Sequence, residues 1–385
     1  MNIMMEKIRN VIYMLKESGG IVNPYHSVTH VTYCVAKNAG DTMLSHCVRK
    51  FLRFPQWNIL KVNAQVNQKM LNHINKTCAL VIGGGGLFLP DTNENTISGW
   101  QWAVSDAQIA NINVPIIVYS VGYNYFKGQE MTDRFKESVN LLVKRASFVG
   151  LRNMGSVQAI RAIVPEELQE KIVFQPCTTT LIRKCYQIKK ENKSGIIGLN
   201  IPFDREKRRY GKDQERILRQ IAKAMREIEK MGYQIKYIAH CTDDLRFLEY
   251  LDREHVHYFS ENLTDALPND IIRCYLDVEL MMGGRGHAQM IPFGIGCRII
   301  SLGSHDKIKW FLEDIDAMDW YIDLCVPEQE KLAEHILDKF IEVNIQNPLQ
   351  TDARLREKQD WLWKISCYNR GKIRRIKKKE KHFLQ

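Results

Sequence analysis

The chain has 385 residues, 45% apolar and 26% charged, with 55 Lys+Arg against 44 Asp+Glu and a formal charge of +11. That length exceeds one ordinary core and predicts two domains, while the composition excludes a disordered or fibrous chain. No apolar run approaches the roughly 20 residues of a membrane-spanning helix, because the longest, residues 78–90, is broken by four consecutive glycines.

Residues 6–17 mix acids, bases and apolar side chains, with Ile8, Val11, Ile12 and Leu15 at helical spacing. This predicts an amphipathic first helix rather than an export signal. Residues 29–34, 78–82, 114–121 and 146–151 read as apolar strands, with helical periodicity at 42–51, 66–74 and 131–143 between them. Continuous apolar strands are buried on both faces, so the alternation predicts a mostly parallel sheet covered by helices. After the polar stretch 189–194 the pattern restarts. Strands are expected at 195–201, 233–239, 278–282 and 297–302, and a long helix at 213–230. A helical stretch at 327–343 and an aromatic stretch at 361–368 close the chain. The expected division is an α/β domain over residues 1–190, a second over 191–345, and a helical extension with a basic tail over 346–385.

Ten cysteines show neither a CxxC pair nor short metal spacing. They read as small buried residues in a reducing compartment, so a cytoplasmic catalyst without a metal is expected. The tail from 371 to 385 holds seven Lys/Arg and one Glu. It suits either plain solvation or an anionic membrane leaflet. Lacking Gly-rich or aromatic interleaving, it gives no expectation of nucleic-acid binding.

In open parallel sheets ligands sit beyond the carboxyl ends of strands, so chemistry is expected at strand-to-helix turns. The first such turn is Asn38-Ala39-Gly40-Asp41, where Asp41 reads either as a helix cap or as a carboxylate that binds or deprotonates a hydroxyl. The second is the run Gly83 to Gly86. There the N–H groups of Gly84 and Gly85 could meet an anion, or the run could be only a close-packed turn. It is neither a Walker A loop nor a dinucleotide fingerprint. Ser120-Val121-Gly122 is a weaker signal of the same kind, and Arg152 with Ser156 marks another strand end.

The most informative turn is Gly283-Gly284-Arg285-Gly286-His287-Ala288. Arginine offers a rigid fork for carboxylate or phosphate, and histidine delivers protons near neutral pH. Lys307 follows the next strand and could neutralise a phosphate; His305 has a weaker claim. His255 and His257 read as alternate residues of a strand, with nothing to complete a metal site. Asp243-Asp244 reads as a helix cap, and residues 206–210 as a solvated basic loop. No GxSxG nucleophile elbow is present.

Taken in order, Asn38-x-Gly40-Asp41, Gly83 to Gly86, Ser120-x-Gly122, Arg152 with Ser156 and Arg285-Gly286-His287-Ala288 resemble the polysaccharide pyruvyl transferases. Pro292-Phe293-Gly294-Ile295-Gly296 and Lys307 extend the likeness, which covers residues 29–312. It implies an α/β fold of two Rossmann-like domains facing across a cleft, glycosyltransferase-B-like, with mostly parallel sheets. It also implies transfer of a pyruvyl group from phosphoenolpyruvate to two sugar hydroxyls of a cell-surface polysaccharide or its precursor, forming a ketal and releasing phosphate. No cofactor is implied beyond this donor substrate.

On that likeness Arg285, His287, Lys307, Arg152, Gly84 and Gly85 would bind the donor. His287, Arg285 and Asp41 would act in catalysis. The first domain would face the glycan or lipid-linked acceptor at the inner face of the cell membrane, and the second would face phosphoenolpyruvate. Two positions depart from the pattern: Gly286 stands where leucine is frequent, and Gln175-Pro176 where Asp-Pro is common. The alternative is a nucleotide-sugar-dependent glycosyltransferase of the same architecture.

Overall fold

The computed structural model describes residues 3–20, 22–33, 37–90, 94–125, 128–304, 306–325 and 329–381; among these, the side chains of 3–7, 306–307, 329 and 377–381 are not described. The chain forms two compact units: Met1–Val35, Leu44–Thr178 and Lys364–Gln385 make the first, and Ala36–Met43 with Thr179–Trp363 the second. The boundary therefore falls at Thr178–Thr179 rather than near residue 190. The polar stretch expected to be a linker is instead tied into the second unit, where the buried Asn192 amide donates to Gly296 O and to Asp352 Oδ1, each at 2.9 Å. The expected separate extension over 346–385 is divided as well, because helix Pro348–Lys381 begins in the second unit and ends in the first.

In the first unit, strands β1 (Ser27–Thr32), β2 (Gln56–Lys61), β3 (Leu80–Phe88), β4 (Ile116–Tyr123), β5 (Phe148–Leu151) and β6 (Ile172–Phe174) form a sheet ordered β2-β1-β3-β4-β5-β6. Every pairing in it is parallel. Val31, Leu80, Ile82, Val118 and Val149 of its inner strands are buried in one core with Trp100, Trp102 and Phe135. Two helices matter below: α1 (Ile3–Ser18) and α2 (Ala39–Leu52).

The second unit holds β7 (Ile196–Asn200), β8 (Gln234–Ala239), β9 (Tyr258–Asn262), β10 (Leu280–Gly283), β11 (Arg298–Gly303) and β12 (Tyr321–Asp323). These too are all parallel, in the order β12-β11-β10-β7-β8-β9. Strand order reverses between β7 and β10, the doubly wound arrangement whose switch point opens a crevice at the strand ends. The amphipathic helix Gln214–Lys230 covers this sheet with a buried stripe that includes Ile217, Ile221 and Ile228.

Two local expectations change. The strand expected at 255–257 begins only at Tyr258. His255 sits in a left-handed turn with φ 55°, and His257 Nδ1 lies 2.7 Å from Glu229 Oε1. The helix expected from residue 327 is observed over Leu332–Phe340, and residue 327 lies outside the described residues.

Candidate functional site

The carboxyl ends of β7, β8, β10 and β11 meet in one charged cluster of the second unit. The turn after β10 lies against the end of β7, where Gly284 N donates to Asn200 O at 2.8 Å. A β-carbon on Gly284 would stand 2.5 Å from Pro202 Cδ, so a larger residue would push the turn away.

Arg285 projects from this turn into two carboxylates. Its Nε donates to Asp244 Oδ2 at 2.8 Å and its Nη2 to Asp244 Oδ1 at 2.6 Å. On the other side Nη1 pairs with Asp204 Oδ1 at 2.7 Å. Burial alone would lower the guanidinium pKa, but the charge and hydrogen bonds of Asp244, with Asp204 behind, outweigh it and raise the pKa.

The fully buried Asp244 also accepts from His240 N at 3.1 Å, Cys241 N at 3.3 Å and Asn200 Nδ2 at 3.2 Å. It lies inside the 3-10 helix Thr242–Phe247, whose N-cap is Cys241, and reaches back to the cap's N–H while it grips Arg285, which corrects its reading as the cap itself. Asp204 accepts in turn from Arg209 Nη2 at 2.9 Å and pairs with Arg205 at 3.3 Å. Arg209 extends to Ser304 Oγ at 3.4 Å, just past β11. Residues 206–210 are thus not a solvated loop: they form the short helix Glu206–Tyr210, with Arg209 and Tyr210 buried. Arg205, Arg209 and Arg285 thus face Asp204 and Asp244, with the Asp41 carboxylate close enough to act on Cys241 beside them. Of the five N–H donors on Arg285, Asp244 takes two in hydrogen bonds, and Asp204 stands beside Nη1 as an ion pair.

His287 opens the helix His287–Ile295 two residues later and is half-buried. The segment before α2 is stitched beside it. Ala39 N donates to His240 O at 3.0 Å, and Asn38 Nδ2 to Cys241 Sγ at 3.1 Å. Asn38 Oδ1 accepts from Gly40 N at 2.8 Å and from Asp41 N at 3.4 Å. Asn38, not Asp41, therefore caps α2, which corrects the cap reading of Asp41. A β-carbon on Gly40 would lie 2.5 Å from His287 Nδ1, so the imidazole packs directly on this glycine.

Asp41 is half-buried in the first turn of α2. Its charge reaches Cys241, whose thiol is pushed up to about 12, first by burial and then by neighbouring carboxylates. Cys241 consequently stays a thiol at neutral pH. Burial likewise pushes His240 down to about 4, leaving that imidazole neutral with Nε2 2.6 Å from Tyr275 Oη. Among the described residues no group of three or more His, Cys, Asp or Glu is placed to hold a metal ion.

Lys307 is the second residue of helix Asp306–Asp314, just past β11; its side chain, like the whole of His305, lies outside the described residues. The remaining expected residues belong to the first unit. Gly83 to Gly86 do not form a turn into a helix: they continue β3, with an irregular register against β4. A β-carbon on Gly83 would stand 2.0 Å from Tyr119 O, and Gly84 packs against Leu44 and Val48 of α2. Gly85 has φ 135°, a conformation favoured by glycine.

Ser120-x-Gly122 likewise lies inside a strand, and its last glycine makes room for a side chain. A β-carbon on Gly122 would stand 2.3 Å from Arg152 Nη2, and one on Gly86 would stand 1.6 Å from Asn124 Nδ2. Arg152 is buried and donates from Nη2 to Asn124 Oδ1 at 3.0 Å, while Ser156 Oγ accepts from Tyr123 N at 2.9 Å. Gln175, at the Asp-Pro position of the pattern, is buried and accepts from Asn369 Nδ2 at 3.1 Å.

Of the residues expected from the sequence, the structure brings Arg285, His287 and the 38–41 segment together; Asp204 and Arg209 join them without having been expected, and Asp244 was expected as a cap only. The available signal for Asp204 was its place three residues beyond the predicted end of a buried strand.

The sequence model of the polysaccharide pyruvyl transferase family matches residues 38–306, more than half of the chain. No curated protein matches the sequence. Among solved structures, a glycosyltransferase from Rickettsia africae ESF-5 is similar at a TM-score of 0.55 and 12% identity, with 93% of this chain and 99% of that chain covered. The S. aureus MnaA–UDP co-structure is similar at a TM-score of 0.51 and 11% identity, covering 86% and 91%. At such identities the likeness concerns the fold alone, and it agrees with a glycosyltransferase-B-like pair of Rossmann-like domains with parallel sheets.

Proposed function

Because the chain belongs to the polysaccharide pyruvyl transferase family and is a transferase, we propose that it moves the pyruvyl group of phosphoenolpyruvate onto two hydroxyls of one sugar in a polysaccharide or its precursor. The observation that carries this reading is the placement of the Arg285–His287 turn at the end of β10, beside the switch point and against the 38–41 segment. A small donor that carries both a carboxylate and a phosphate suits a rigidly held guanidinium with N–H groups beyond those that Asp244 takes.

In this reading Asp244 holds Arg285 rigid, and the donor carboxylate or phosphate takes the remaining N–H groups with the half-buried Asp204 giving way. Lys307 adds a second cation. His287 protonates the methylene carbon, so positive character develops at the carbon bearing phosphate. One sugar hydroxyl adds there, its proton passing to Asp41 or the departing phosphate. Phosphate leaves with the C–O electron pair, and the second hydroxyl closes the ketal. The two hydroxyl protons balance the one gained by the methylene and the one gained by phosphate. Holding donor and acceptor in line contributes several kcal/mol of the barrier reduction.

The test is incubation with phosphoenolpyruvate and a panel of free and lipid-linked glycans. Phosphate release should match the appearance of an acceptor heavier by one pyruvate ketal. Transfer from a nucleotide sugar, with phosphoenolpyruvate inert, would establish the glycosyltransferase reading instead. Loss of neither product in His287→Ala and Arg285→Ala would detach the reaction from this turn.

A further inference from the structure

Strand β2 is the outermost strand of the first unit's sheet and lies against α1. Its Asn58 and Leu60 stand two residues apart and so share one face, since side chains alternate along a strand. The helix that follows, Gln68–Ile74, turns Leu71 and Ile74 into the core. Another of its faces carries Lys69, Asn72, His73 and Lys76, at the i, i+3, i+4, i+7 spacing of one helical stripe. Lys76 lies just past the helix end, where its N–H donates to His73 O at 3.1 Å. Strand face and helix stripe line one open cavity of about 700 Å³.

Among the described residues no carboxylate lines this cavity. Lys69 and Lys76 are exposed, and within the described residues neither ammonium has an ion-pair or hydrogen-bond partner. A solvated helix surface ordinarily mixes signs, as in helix Gln214–Lys230, where Lys230 meets Glu227 at 2.8 Å. His73 Nε2 is buried and makes no hydrogen bond to the described residues. Asn67 Oδ1 accepts from Met70 N at 2.9 Å and Asn72 Oδ1 from Gln68 Nε2 at 2.8 Å, so both amides keep their N–H groups as donors. Asn58 is reversed: its Nδ2 donates to Thr29 Oγ1 at 3.1 Å, which leaves the carbonyl as an acceptor. Leu60 and Met70, both half-buried, supply an apolar wall.

We propose that this groove binds an acid-bearing saccharide chain, as a subsite of the first unit that shares no residue with the Arg285–His287 turn. The two ammonium groups meet the acid groups of the chain. The amides serve its hydroxyls, which both donate and accept, and Leu60 with Met70 lies under the C–H faces of the sugar rings. The volume falls within the roughly 300–1,000 Å³ of small-ligand pockets. A nucleic-acid strand fits less well, because no Phe, Tyr or Trp lines the groove to stack a base. A bare phosphate would leave the apolar wall and the Asn58 carbonyl unused. The choice of a saccharide rests on the polysaccharide part of the proposed function and not on phosphoenolpyruvate as donor.

The test is isothermal titration of the full chain, without phosphoenolpyruvate, with a short oligogalacturonate, a neutral galactan of the same length, inorganic phosphate and a single-stranded oligonucleotide. The oligogalacturonate should bind, more weakly as salt rises, and the neutral chain should bind at least about tenfold more weakly. Lys69→Ala with Lys76→Ala should weaken oligogalacturonate binding about tenfold at an unchanged melting temperature, and the His73 ring resonances should shift on binding to the parent. No binding of the oligogalacturonate, equal binding of the neutral chain, or equal binding by variant and parent overturns the proposal. So does displacement of the oligogalacturonate by an equal concentration of phosphate or oligonucleotide. Pyruvyl transfer is assayed separately: its failure with binding intact counts against the donor alone, and loss of binding with transfer intact counts against this groove alone.

Discussion

A β-carbon at position 40 would stand 2.5 Å from Nδ1 of His287 and 2.8 Å from its Cβ. The conflict involves the root of the histidine as well as its ring, so a rotamer change alone cannot relieve it. Gly40→Ala is expected to displace the imidazole and reduce kcat/KM by about 10²-fold. The helix itself should not suffer, because alanine favours a helix interior by about 1 kcal/mol over glycine. Kinetics and a melting curve on the same preparation separate the two effects; an unchanged rate would remove His287 from the reaction.

Asp244 and Arg285 form a pair whose members cannot be removed equivalently. Asp244→Ala leaves a buried guanidinium short of its main counter-charge, which costs about 3–5 kcal/mol. Asp244→Asn keeps the shape and one acceptor, and should be milder in stability. In the proposed reaction it should still raise KM for phosphoenolpyruvate at least about tenfold, because the fork is no longer held on both N–H groups. Equilibrium urea denaturation and initial rates over a donor series measure the two outcomes. An Asn variant with parental KM would assign Asp244 to folding alone.

The glycines of β3 should differ sharply. At Gly83, with φ 149°, an added β-carbon meets the Tyr119 carbonyl oxygen at 2.0 Å, and that oxygen belongs to a neighbouring strand that cannot turn aside. Gly83→Ala is expected to cost at least about 3 kcal/mol. At Gly84 the obstacles are side-chain carbons of Val48 and Leu44 at 3.0 and 3.1 Å. Gly84→Ala should cost about 1–2 kcal/mol, mostly for its left-handed backbone. Chemical denaturation of both variants checks the order; the reverse order would mean that β3 does not pack as described.

Acid should weaken the fold through two buried imidazoles. Burial holds His30 down to about 3, with the Arg49 charge adding to it, and holds His240 down to about 4. Unfolded, both would titrate near 6.5, so below that pH the unfolded chain binds more protons. Their contribution is complete above pH 6.5 and is lost as pH falls through the folded values. At pH 5 each accounts for about 2 kcal/mol. Glu17, held at about 2, adds a loss between pH 4.5 and 2. Urea midpoints at about pH 7.5 and about pH 5 measure the first step, and a flat profile would contradict buried neutral imidazoles.

The eight strands anticipated from apolar runs are β1, β3, β4, β5, β7, β8, β10 and β11, and each lies inside its sheet. Of the four outermost strands, β9 was anticipated only as an alternation at residues 255–257, ahead of its observed start, and β2, β6 and β12 went unrecognised. An interior parallel strand is covered on both faces and must be apolar throughout, whereas β9, Tyr-Phe-Ser-Glu-Asn, is mostly exposed and carries no such mark.

The site divides in a similar way. Arg285 and His287 stand out because glycines flank them at the end of an interior strand, a local arrangement visible in any window of a few residues. Asp244 shows locally only its capping chemistry, since the arginine that it holds lies 41 positions further along. Arg209 looks like one base among several, and nothing nearby in sequence foretells Asp204 or Ser304 as its partners.

The sequence alone determined the alternation of strand and helix, the doubling of that pattern, and the glycine-flanked turn with its arginine and histidine. Those features follow from backbone sterics and from burial averaged over a short segment. Only the tertiary structure decided which charges are paired, that Asn38 rather than Asp41 caps α2, and that the glycines after Ile82 continue a strand. A buried charge is stabilised or not by whatever the sheet order brings within about 3 Å, and that distance bears no relation to separation along the chain.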